Sequence, residues 1–389
     1  MAIPITYNLR SMVVRLQLFA VAVLAIAGTV SVFIAVLALA RGFRAAVVSS
    51  GSAANVMVLR QGSSTEASSV LNLDQVPVID GLPGVARAAN GPLVDPEVLS
   101  LAPFPLRETG TDANVQVRGV SANVLQVRQN IHMREGRFLQ PGTNEVIVGR
   151  NIPRIHTGLS TGDTVKFGGG VWHVVGVFDG AGSSFDSEVW CDGHLLNQVY
   201  HRPDNLYNSI TVRLTSPDAL QRFKDAATSD PRLTIDAVRE TEYYDRQSQT
   251  FTTLIMSLGS IIVLVMGIGA ILSSLNIMYA TVAERSREIA TLRALGFGVG
   301  SIVTSFVLEA LLISLFAGAI GCLLVLPING LTTRSMNPVT FSQLSYSFQV
   351  TPALLLQGVL FALVMGIVGG LPPAIRAATS PIAKELRSL

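Results

Sequence analysis

Four long apolar runs, almost free of charged residues, set the organisation of this chain. They cover residues 16–40, 252–282, 301–325 and 353–375. Crossing a lipid bilayer takes about 20 helical residues, so the pattern predicts four transmembrane helices. The second run is longer than a bilayer requires, and residues 239–250 before it are polar and free of glycine and proline. We therefore predict one helix that starts outside the membrane and continues through it; the alternative is an ordinary loop that ends at the bilayer.

The long segment between the first two runs has a different pattern, in which short apolar stretches alternate with turn residues. Such stretches predict β-strands, and the glycines at 168–170 predict a hairpin turn between two of them. Residues 217–227 are typical of a helix with Ser216 as its N-cap, and residues 62–69 of a mobile loop. The mixture predicts an α+β domain rather than a Rossmann-type sheet. The predicted strands are 55–60, 115–120, 145–148, 164–167, 171–178 and 209–214.

A short charged segment, AERSREIATLRALG (283–296), separates the second and third runs. Ile289, Leu292 and Leu295 recur every three residues and would line one side of a helix, with charged residues on the remaining surface. A rigid amphipathic helix of this kind suits docking onto another protein. The charged residues are Glu284, Arg285, Arg287, Glu288 and Arg293, and the glycines that would break the helix before the next run are Gly296, Gly298 and Gly300.

Composition and charge fit a membrane protein with a sizeable soluble part. The 389 residues are 49% hydrophobic and 14% charged, and no basic run points to nucleic acid. Short cytoplasmic loops collect Lys and Arg, and the only basic residue in the loop 326–352 is Arg334. This bias predicts that both termini and the loop 283–300 are cytoplasmic and that residues 41–250 lie outside. The basic residues on the predicted cytoplasmic side are Arg10, Arg15, Arg285, Arg287, Arg293, Arg376, Lys384 and Arg387.

The first apolar run allows a second interpretation. Arg10 and Arg15, an apolar run and then Ala38-Leu39-Ala40 also resemble a secretory signal peptide with its cleavage site. The run has about 25 residues, against 7–15 in a typical signal peptide, so we favour a retained anchor. The sequence does not decide whether this site is cleaved, and cleavage would leave residues 41–250 on the same side.

Two common motifs of nucleotide and zinc sites are missing from the sequence. It contains no G-x-x-x-x-G-K-[ST] and no H-E-x-x-H, so the chain carries no P-loop ATPase of its own. Cys191, His194 and His201 are close enough in sequence to raise a metal site, but their spacing fits no standard motif and we favour structural roles. Cys322 falls within the third run, so a disulfide with Cys191 is not expected.

One carboxylate and several small residues stand out inside the apolar runs. A carboxylate such as Glu309 is costly within a span and often functional. A proton relay would need an intramembrane partner, so we favour pairing with Arg285, Arg287 or Arg293. Small residues four apart let helices approach closely, within one chain or between two, although Gly and Ala are also common in membrane helices generally. These pairs are Gly366 with Gly370 and Ala317 with Gly321.

Three passages together resemble the MacB/FtsX-type permease subunits of bacterial ABC transporters, over nearly the whole chain. AERSREIATLRALG with the following LEALLISLFAGAIG (308–321) resembles the family's charged loop, glycine break and acidic L-E-A helix. GGLPPAIRAATSPIAKELR (369–387) resembles its closing motif, a Gly-Gly-x-x-Pro helix end, an Arg-Ala-Ala turn and a Pro-x-x-x-x-Leu tail. Ala383 departs from this motif, because the family usually has an acidic residue there and Glu385 is displaced from it. Residues 135–178 resemble the family's periplasmic core domain.

The resemblance implies a non-catalytic permease that couples ATP hydrolysis by a separate ATPase subunit to movement of its periplasmic domain. The expected cargo is hydrophobic or lipid-like, and is exported or extracted without a water-filled path through the spans. The chain itself would hold no cofactor or metal; ATP and Mg²⁺ would bind two ATPase copies beneath a permease homodimer in the bacterial inner membrane. A periplasmic adaptor and membrane lipids are further candidate partners. The alternative is a signalling or regulatory permease-like protein that controls a periplasmic partner such as a cell-wall hydrolase.

The resemblance and the pattern together predict a division of the chain into six parts. Cargo, direction of transport and homo- or heterodimerisation stay open at this point. The ATPase would contact Glu284, Arg285, Arg287, Glu288, Ile289, Leu292, Arg293 and Leu295. The parts are 1–40, the cytoplasmic N-tail and transmembrane helix 1; 41–238, the periplasmic core-like α+β domain; 239–283, the stalk and transmembrane helix 2; 284–300, the cytoplasmic coupling segment; 301–375, transmembrane helices 3 and 4 with a short outer loop; and 376–389, the cytoplasmic C-tail.

Overall fold

The computed structural model describes residues 16–89, 91–337 and 340–379, which divide into two compact units. One, here the helical unit, combines Met1–Arg41, Leu254–Leu331 and Phe348–Leu389. The other, the sheet unit, combines Gly42–Thr253 and Thr332–Ser347. Arg10, Arg15, Lys384 and Arg387, on which part of the predicted orientation rests, lie outside the described residues, as do Ala383 and Glu385.

The helices and strands alternate along the chain. The α-helices are α1 (Leu16–Val48), α2 (Gln75–Asp80), α3 (Val124–Val127), α4 (Ile152–Ile155), α5 (Gly193–Val199), α6 (Leu220–Ser229), α7 (Glu240–Glu284), α8 (Ser286–Ala294), α9 (Val299–Val325) and α10 (Pro352–Thr379). Short 3₁₀ turns cover Glu66–Ser68, Ser184–Ser187, Pro217–Ala219 and Leu326–Ile328. The strands are β1 (Asn55–Arg60), β2 (Leu71–Asn72), β3 (Arg87–Ala88), β4 (Gly91–Pro92), β5 (Val94–Pro105), β6 (Asp112–Val120), β7 (His132–Gly136), β8 (Glu145–Gly149), β9 (Thr164–Phe167), β10 (Gly170–Asp179), β11 (Glu188–Asp192), β12 (Leu206–Tyr207), β13 (Ser209–Arg213), β14 (Ile235–Arg239), β15 (Thr332–Met336) and β16 (Gln343–Ser347).

Four helices, α1, α7, α9 and α10, are long and apolar enough to cross a membrane, which confirms the four predicted spans. The prediction of one continuous helix from the polar stretch into the second span is also confirmed, because α7 runs unbroken for 45 residues. At 1.5 Å per residue it is about 67 Å long, more than twice the hydrocarbon core of a bilayer. α1 likewise continues through residues 38–40 to Val48 without a break.

The small residues singled out in the spans lie where helices of the same chain approach each other. A methyl group on Gly366 would overlap Ser314, and one on Gly370 would overlap Ala310, both on α9. A methyl group on Gly321 would lie 2.8 Å from the backbone oxygen of Ala27 on α1. Ala317, also on α9, is fully buried in the core that α1, α9 and α10 share.

The sheet unit is built on a ten-stranded sheet with the order β14-β1-β13-β5-β6-β11-β8-β10-β7, in which β9 pairs with β10. Only the pairs β6–β11 and β8–β10 run parallel in the described residues. One face is apolar and forms two cores, the first around Trp172 and Leu196, the second around Phe223 and Ile79. This architecture confirms the predicted α+β domain, and the pairing of β9 with β10 confirms the hairpin at 168–170.

The opposite face of the sheet is polar and yet buried. The strand register brings Glu97 beside Ser209 and Gln116 beside Glu188, and Arg118 follows Gln116 on the same face. The 3₁₀ turn Ser184–Ser187, the beginning of α7 and the hairpin β15–β16 cover this face. The sheet therefore buries charged side chains on its second face, and these buried charges must be paired with each other.

Two local predictions are wrong, and a third segment has more structure than predicted. Residues 62–69, predicted as a mobile loop, contain the turn Glu66–Ser68, and the Glu66 carboxylate is buried against Arg118. The short outer loop between spans three and four instead carries the hairpin β15–β16, which belongs to the sheet unit. Gly300 does not break a helix, because α9 begins one residue before it.

The predicted helix end in the closing motif is also wrong. α10 continues through Pro372 and Pro373, and the expected turn at Arg376 is helical up to Thr379. Two prolines remove two backbone donors, but membrane helices tolerate this where neighbouring helices pack closely around the freed carbonyls. Here Gly369 and the alanines after the prolines are buried, and this packing keeps the helix continuous. The remainder of the motif, 380–387, lies outside the described residues.

Candidate functional site

The first candidate site is the helix break at Arg285, between α7 and α8. Arg285 itself leaves the helical conformation, and its guanidinium turns inward. Nη1 lies 3.0 Å from Oε2 of Glu309, and Nε lies 3.3 Å from Oε2 of Glu288. The guanidinium also lies 5.2 Å from the ring centre of Phe306. The predicted pairing of Glu309 with a basic residue of the charged segment is therefore confirmed, and the pair attaches the start of α8 to α9.

A hydrogen-bonded cap ends α8. The Phe297 N–H donates to the Leu292 carbonyl at 3.1 Å, and the Gly296 N–H donates to the Arg293 carbonyl at 3.1 Å. This double closure requires a left-handed residue, and Gly296 supplies it with φ of +94°. The predicted break at Gly296 is confirmed, and the short helix is fixed at both ends.

The buried side of α8 is narrower than the sequence pattern indicated. Ile289 is buried against Phe306 and the alanines near the end of α10, and Leu292 is half-buried. Leu295 is 70% exposed, so the prediction that it shares this side is wrong. Three residues advance a helix by about 300°, so a three-residue spacing drifts around the helix, and α8 ends before Leu295. Arg287 and Glu288 are exposed as well.

The second candidate site is a buried ion network on the polar face of the sheet. Arg118 and Arg128 are each 1% exposed. Arg118 lies 2.9 Å from Oε1 of Glu66 and 2.9 Å from Oε2 of Glu188, and it also contacts Glu97. Arg128 Nη2 lies 2.6 Å from Oε1 of Glu97. We call these residues, with Glu240, the ion network.

Glu240, the first residue of α7, joins the network through an ion pair with Arg128. Its other oxygen, Oε2, accepts hydrogen bonds from the Ser52 N–H at 2.9 Å and from Asn55 Nδ2 at 3.0 Å. A carboxylate is also favoured at a helix N-terminus. Close packing adds to this attachment, since a methyl group on Gly51 would lie 2.7 Å from the backbone nitrogen of Thr241. The start of the long helix is thereby fixed to the sheet.

The electrostatics of the network follow from burial and pairing. Burial alone would raise the pKa of Glu97, but the charges of Arg128 and Arg118 outweigh it and lower that pKa to about 2. Burial, reinforced by the Glu97 charge, raises the pKa of the neighbouring Asp95 to about 8. The ring of Phe185 lies 4.6 Å from the Arg128 guanidinium and 5.3 Å from that of Arg118. Glu97 therefore stays ionised between two arginines, and Asp95 holds a proton at neutral pH.

Sequence reasoning missed this network, and it also raised a metal site at Cys191. Cys191 is buried in β11, whereas the His194 side chain is 58% exposed on α5. No group of three His, Cys, Asp or Glu side chains in the described ranges is placed to hold a metal ion. The signal for the network was present but weak: Arg118 is the one charged residue of the predicted strand 115–120.

The fold and these two sites define a class of protein. An α+β domain inserted after the first of four apolar helices, with a short amphipathic helix between the second and third, is the layout of an ABC-transporter permease. Residues 19–230 match the model of the MacB-like periplasmic core domain, and residues 260–382 match that of the FtsX-like permease C-terminal domain. The chain therefore belongs to the MacB/FtsX-type permeases.

Individual relatives agree with this assignment. The chain is 28% identical to the macrolide export ATP-binding/permease protein MacB of Bordetella avium over 278 residues, which are 64% of this chain and 40% of the relative. Over 301 residues, 72% of this chain and 71% of the relative, it is 25% identical to the uncharacterized ABC transporter permease YknZ of Bacillus subtilis. The chain thus spans about two fifths of that MacB relative's length.

Solved structures of extracytoplasmic domains are also similar to this chain. The periplasmic region of MacB from Actinobacillus actinomycetemcomitans matches with a TM-score of 0.38 and 14% identity, over 52% of this chain and 94% of that one. The extracellular domain of YknZ matches with a TM-score of 0.35 and 17% identity, over 45% of this chain and 91% of that one.

Proposed function

We propose that this chain is the permease subunit through which a separate cytoplasmic ATPase moves an extracytoplasmic domain. The observation that carries the proposal is the unbroken helix α7. Its first residue, Glu240, is held in the ion network, and the residue after its last, Arg285, is held by Glu309. A helix fixed at both ends is a stiff connection, so a displacement of α8 would be passed along α7 to the sheet.

Charge distribution supports the direction of this transmission. Among the short segments that flank the spans, Lys and Arg are concentrated in the coupling segment, residues 284–300, and near the two termini, which favours placement of these segments in the cytoplasm. The sheet unit then lies outside. On the coupling segment, the exposed Arg287 and Glu288 and the apolar Leu295 offer a mixed charged and apolar surface for the ATPase.

We propose a separate ATPase subunit because YknZ of Bacillus subtilis, which this chain matches over 71% of that relative's length, is named as a permease alone. The MacB relatives carry both ATP-binding and permease in their names, so the two activities occur together in this family. Two ATPase copies with ATP and Mg²⁺ beneath a permease homodimer would provide a symmetric input. A periplasmic adaptor and surrounding lipids complete the proposed assembly.

The spans support a cargo that is taken from outside the cytoplasm. Glu309 is the one charged residue within the four apolar runs, and its carboxylate is buried in a pair with Arg285. The spans therefore offer no unpaired row of charged side chains to line a hydrated path. We therefore propose export or extraction of a hydrophobic or lipid-like cargo, handled by the sheet unit. Control of an outer partner, such as a cell-wall hydrolase, would use the same coupling and differ in what the sheet unit binds.

Co-purification with the cognate ATPase tests the docking role. The double variant Arg287→Glu and Leu295→Asp changes exposed positions and should abolish co-purification while membrane insertion and thermal unfolding stay unchanged. Arg222→Glu, an exposed residue on α6 in the sheet unit, is the matched control and should keep full binding. Retained co-purification of the double variant would refute docking through the coupling segment.

A further inference from the structure

A cavity of about 480 Å³ lies in the sheet unit, next to the ion network. Its volume falls within the range of small-molecule sites, roughly 300–1,000 Å³. Three elements form its walls: the exposed edge of β5 with Leu101, the beginning of α7 with Tyr243 and Gln247, and the segment after β15 with Phe341. The cavity therefore joins the sheet to the helix that we propose transmits movement.

One wall of the cavity is apolar and accessible. Leu101 is 37% exposed and Phe341 is 57% exposed, so both present apolar surface that the fold itself does not bury. Phe341 has φ of +53°, which is uncommon for a bulky residue. Its N–H donates to the Asn337 carbonyl at 2.8 Å, which fixes this backbone conformation. This hydrogen bond thus holds the aromatic ring at the cavity, in a backbone conformation that bulky residues rarely adopt.

The charge in the cavity is unbalanced. Arg202 lines it, and its Nη1 donates to the Leu99 carbonyl at 2.9 Å. No carboxylate in the described chain lies within ion-pair distance of Arg202. The one carboxylate of the wall, Glu66, is already engaged by Arg118 and by the Ser209 hydroxyl. A ligand entering here meets an apolar wall and a cation that no carboxylate of the described residues neutralises.

We propose that this cavity binds an amphipathic organic anion, with its apolar part against Leu101 and Phe341 and its anionic group on Arg202. A charge-assisted hydrogen bond to a guanidinium would orient the anionic end, and burial of the apolar part would supply most of the affinity. The inference deepens the proposed function, on which it rests, by naming the class of cargo. Tyr243 and Gln247 would bring the bound molecule into contact with α7.

The test uses the full chain in nanodiscs of zwitterionic phosphatidylcholine, without ATPase. Phe341→Trp places a fluorescent donor at the cavity, and the probe is 11-(dansylamino)undecanoic acid, an amphipathic anion whose dansyl group accepts energy from tryptophan. The native Trp172 and Trp190 are buried in the sheet unit, so the unsubstituted chain and empty nanodiscs define the background. The methyl ester of the same probe removes the negative charge and keeps the apolar part.

The expected result is saturable energy transfer with the acid and clearly weaker binding of the ester. Arg202→Gln should weaken the acid about tenfold, equivalent to about 1.4 kcal/mol, and leave the ester unchanged. Leu101→Asp should weaken both probes, and the exposed Arg222→Gln on α6 should change neither. Equal affinity for acid and ester, or no effect of Arg202→Gln, would overturn the assignment of an anion.

Absence of saturable transfer would overturn the site itself. Because this assay contains no ATPase, its failure would leave docking through the coupling segment intact. Conversely, loss of the docking result would leave the binding measurement unaffected, so the two proposals fail separately.

Discussion

Loss of the buried ion pair between Arg128 and Glu240 should lower the stability of the sheet unit strongly, and Arg128→Met tests this directly. The substitution removes the guanidinium and keeps a side chain of similar length. Glu97, whose Oε1 lies 2.6 Å from Arg128 Nη2, and Glu240 each lose an ion-pair partner. The substitution also removes the hydrogen bond that Arg128 donates to the Thr211 hydroxyl at 3.0 Å. Arg128 is 1% exposed, so water cannot replace these contacts without opening the structure.

The magnitude follows from what is left behind. Removing one partner of a buried ion pair costs roughly 3–5 kcal/mol, because the other charge stays buried without compensation. Glu97 still has Arg118, so the main loss falls on Glu240, which keeps only the two donors from Ser52 and Asn55. We therefore expect Arg128→Met to lie within this range, and Glu240→Gln to cost less, since an amide oxygen still accepts those two bonds.

A double-mutant cycle separates the pair from its surroundings. Arg128→Met with Glu240→Leu removes both charges, and the combined loss should be smaller than the sum of the two single losses. Thermal unfolding followed by tryptophan emission is a suitable assay. Trp190 reports on the network itself, because its indole N–H donates to Glu188 at 2.8 Å. Additive losses, or a loss for Arg128→Met within about 0.5 kcal/mol, the usual range of a surface substitution, would refute the reasoning.

Three further outcomes are expected. Arg285→Met should lower the thermal stability by a similar roughly 3–5 kcal/mol by taking the guanidinium from the buried carboxylate of α9, whereas the exposed Arg287→Met should change little in the same unfolding assay. Gly366→Leu should reduce the folded yield in membranes, because the new side chain overlaps α9. The control Gly267→Ala should keep the yield, because its added carbon meets only a side chain at 3.7 Å. Equal yields of the two variants would contradict the packing argument. Because the pKa of Asp95 is raised to about 8, the folded protein retains a proton that the unfolded chain releases above about pH 4. Stability should therefore fall as pH rises from about 4 to 8, and Asp95→Asn should stabilise the protein at pH 8 but not near pH 4; a stabilisation that is the same at both pH values would contradict this.

The membrane helices were predictable from sequence because they depend on local properties. Run length fixes a span, and the absence of glycine and proline from residues 239–250 allowed α7 to be predicted as one helix. The strands β1 and β9 were predicted at their observed bounds for the same reason, since apolar alternation and flanking turns are visible locally. The orientation of the spans and the division into six parts stay predictions.

The strand β5 was missed because of its prolines. Pro96, Pro103 and Pro105 lie within it, and proline normally argues against a central strand. From residue 98 onward, however, β5 pairs only with β6 in the described sheet, so an N–H on its other side is not needed there. Whether an edge is free is a property of the whole sheet, and no local pattern reveals it.

The two candidate sites also differ in how far a local sequence pattern reveals them. The coupling segment is continuous in sequence, and pairing of Glu309 with Arg285, 24 residues before it, was open to prediction because few candidate partners were near. The ion network collects residues from position 66 to position 240, on three strands, one 3₁₀ turn, the loop after α3 and one helix. A single charge in a strand normally indicates a solvent-exposed face, so only tertiary packing reveals that Arg118 and its carboxylates share one buried surface.

The two sites have one physical feature in common, which bears on how α7 works. An arginine–carboxylate pair holds each end of this helix: Arg128 with Glu240 at its first residue, and Arg285 with Glu309 just after its last. Apolar surfaces in contact can slide over one another with little change in buried area. A buried ion pair has a fixed geometry, and separating its partners exposes each charge to the full cost of burial without compensation. Attachments of this kind resist both sliding and detachment. Under the proposed function, a force applied at α8 should therefore be passed along α7 instead of being lost at its ends.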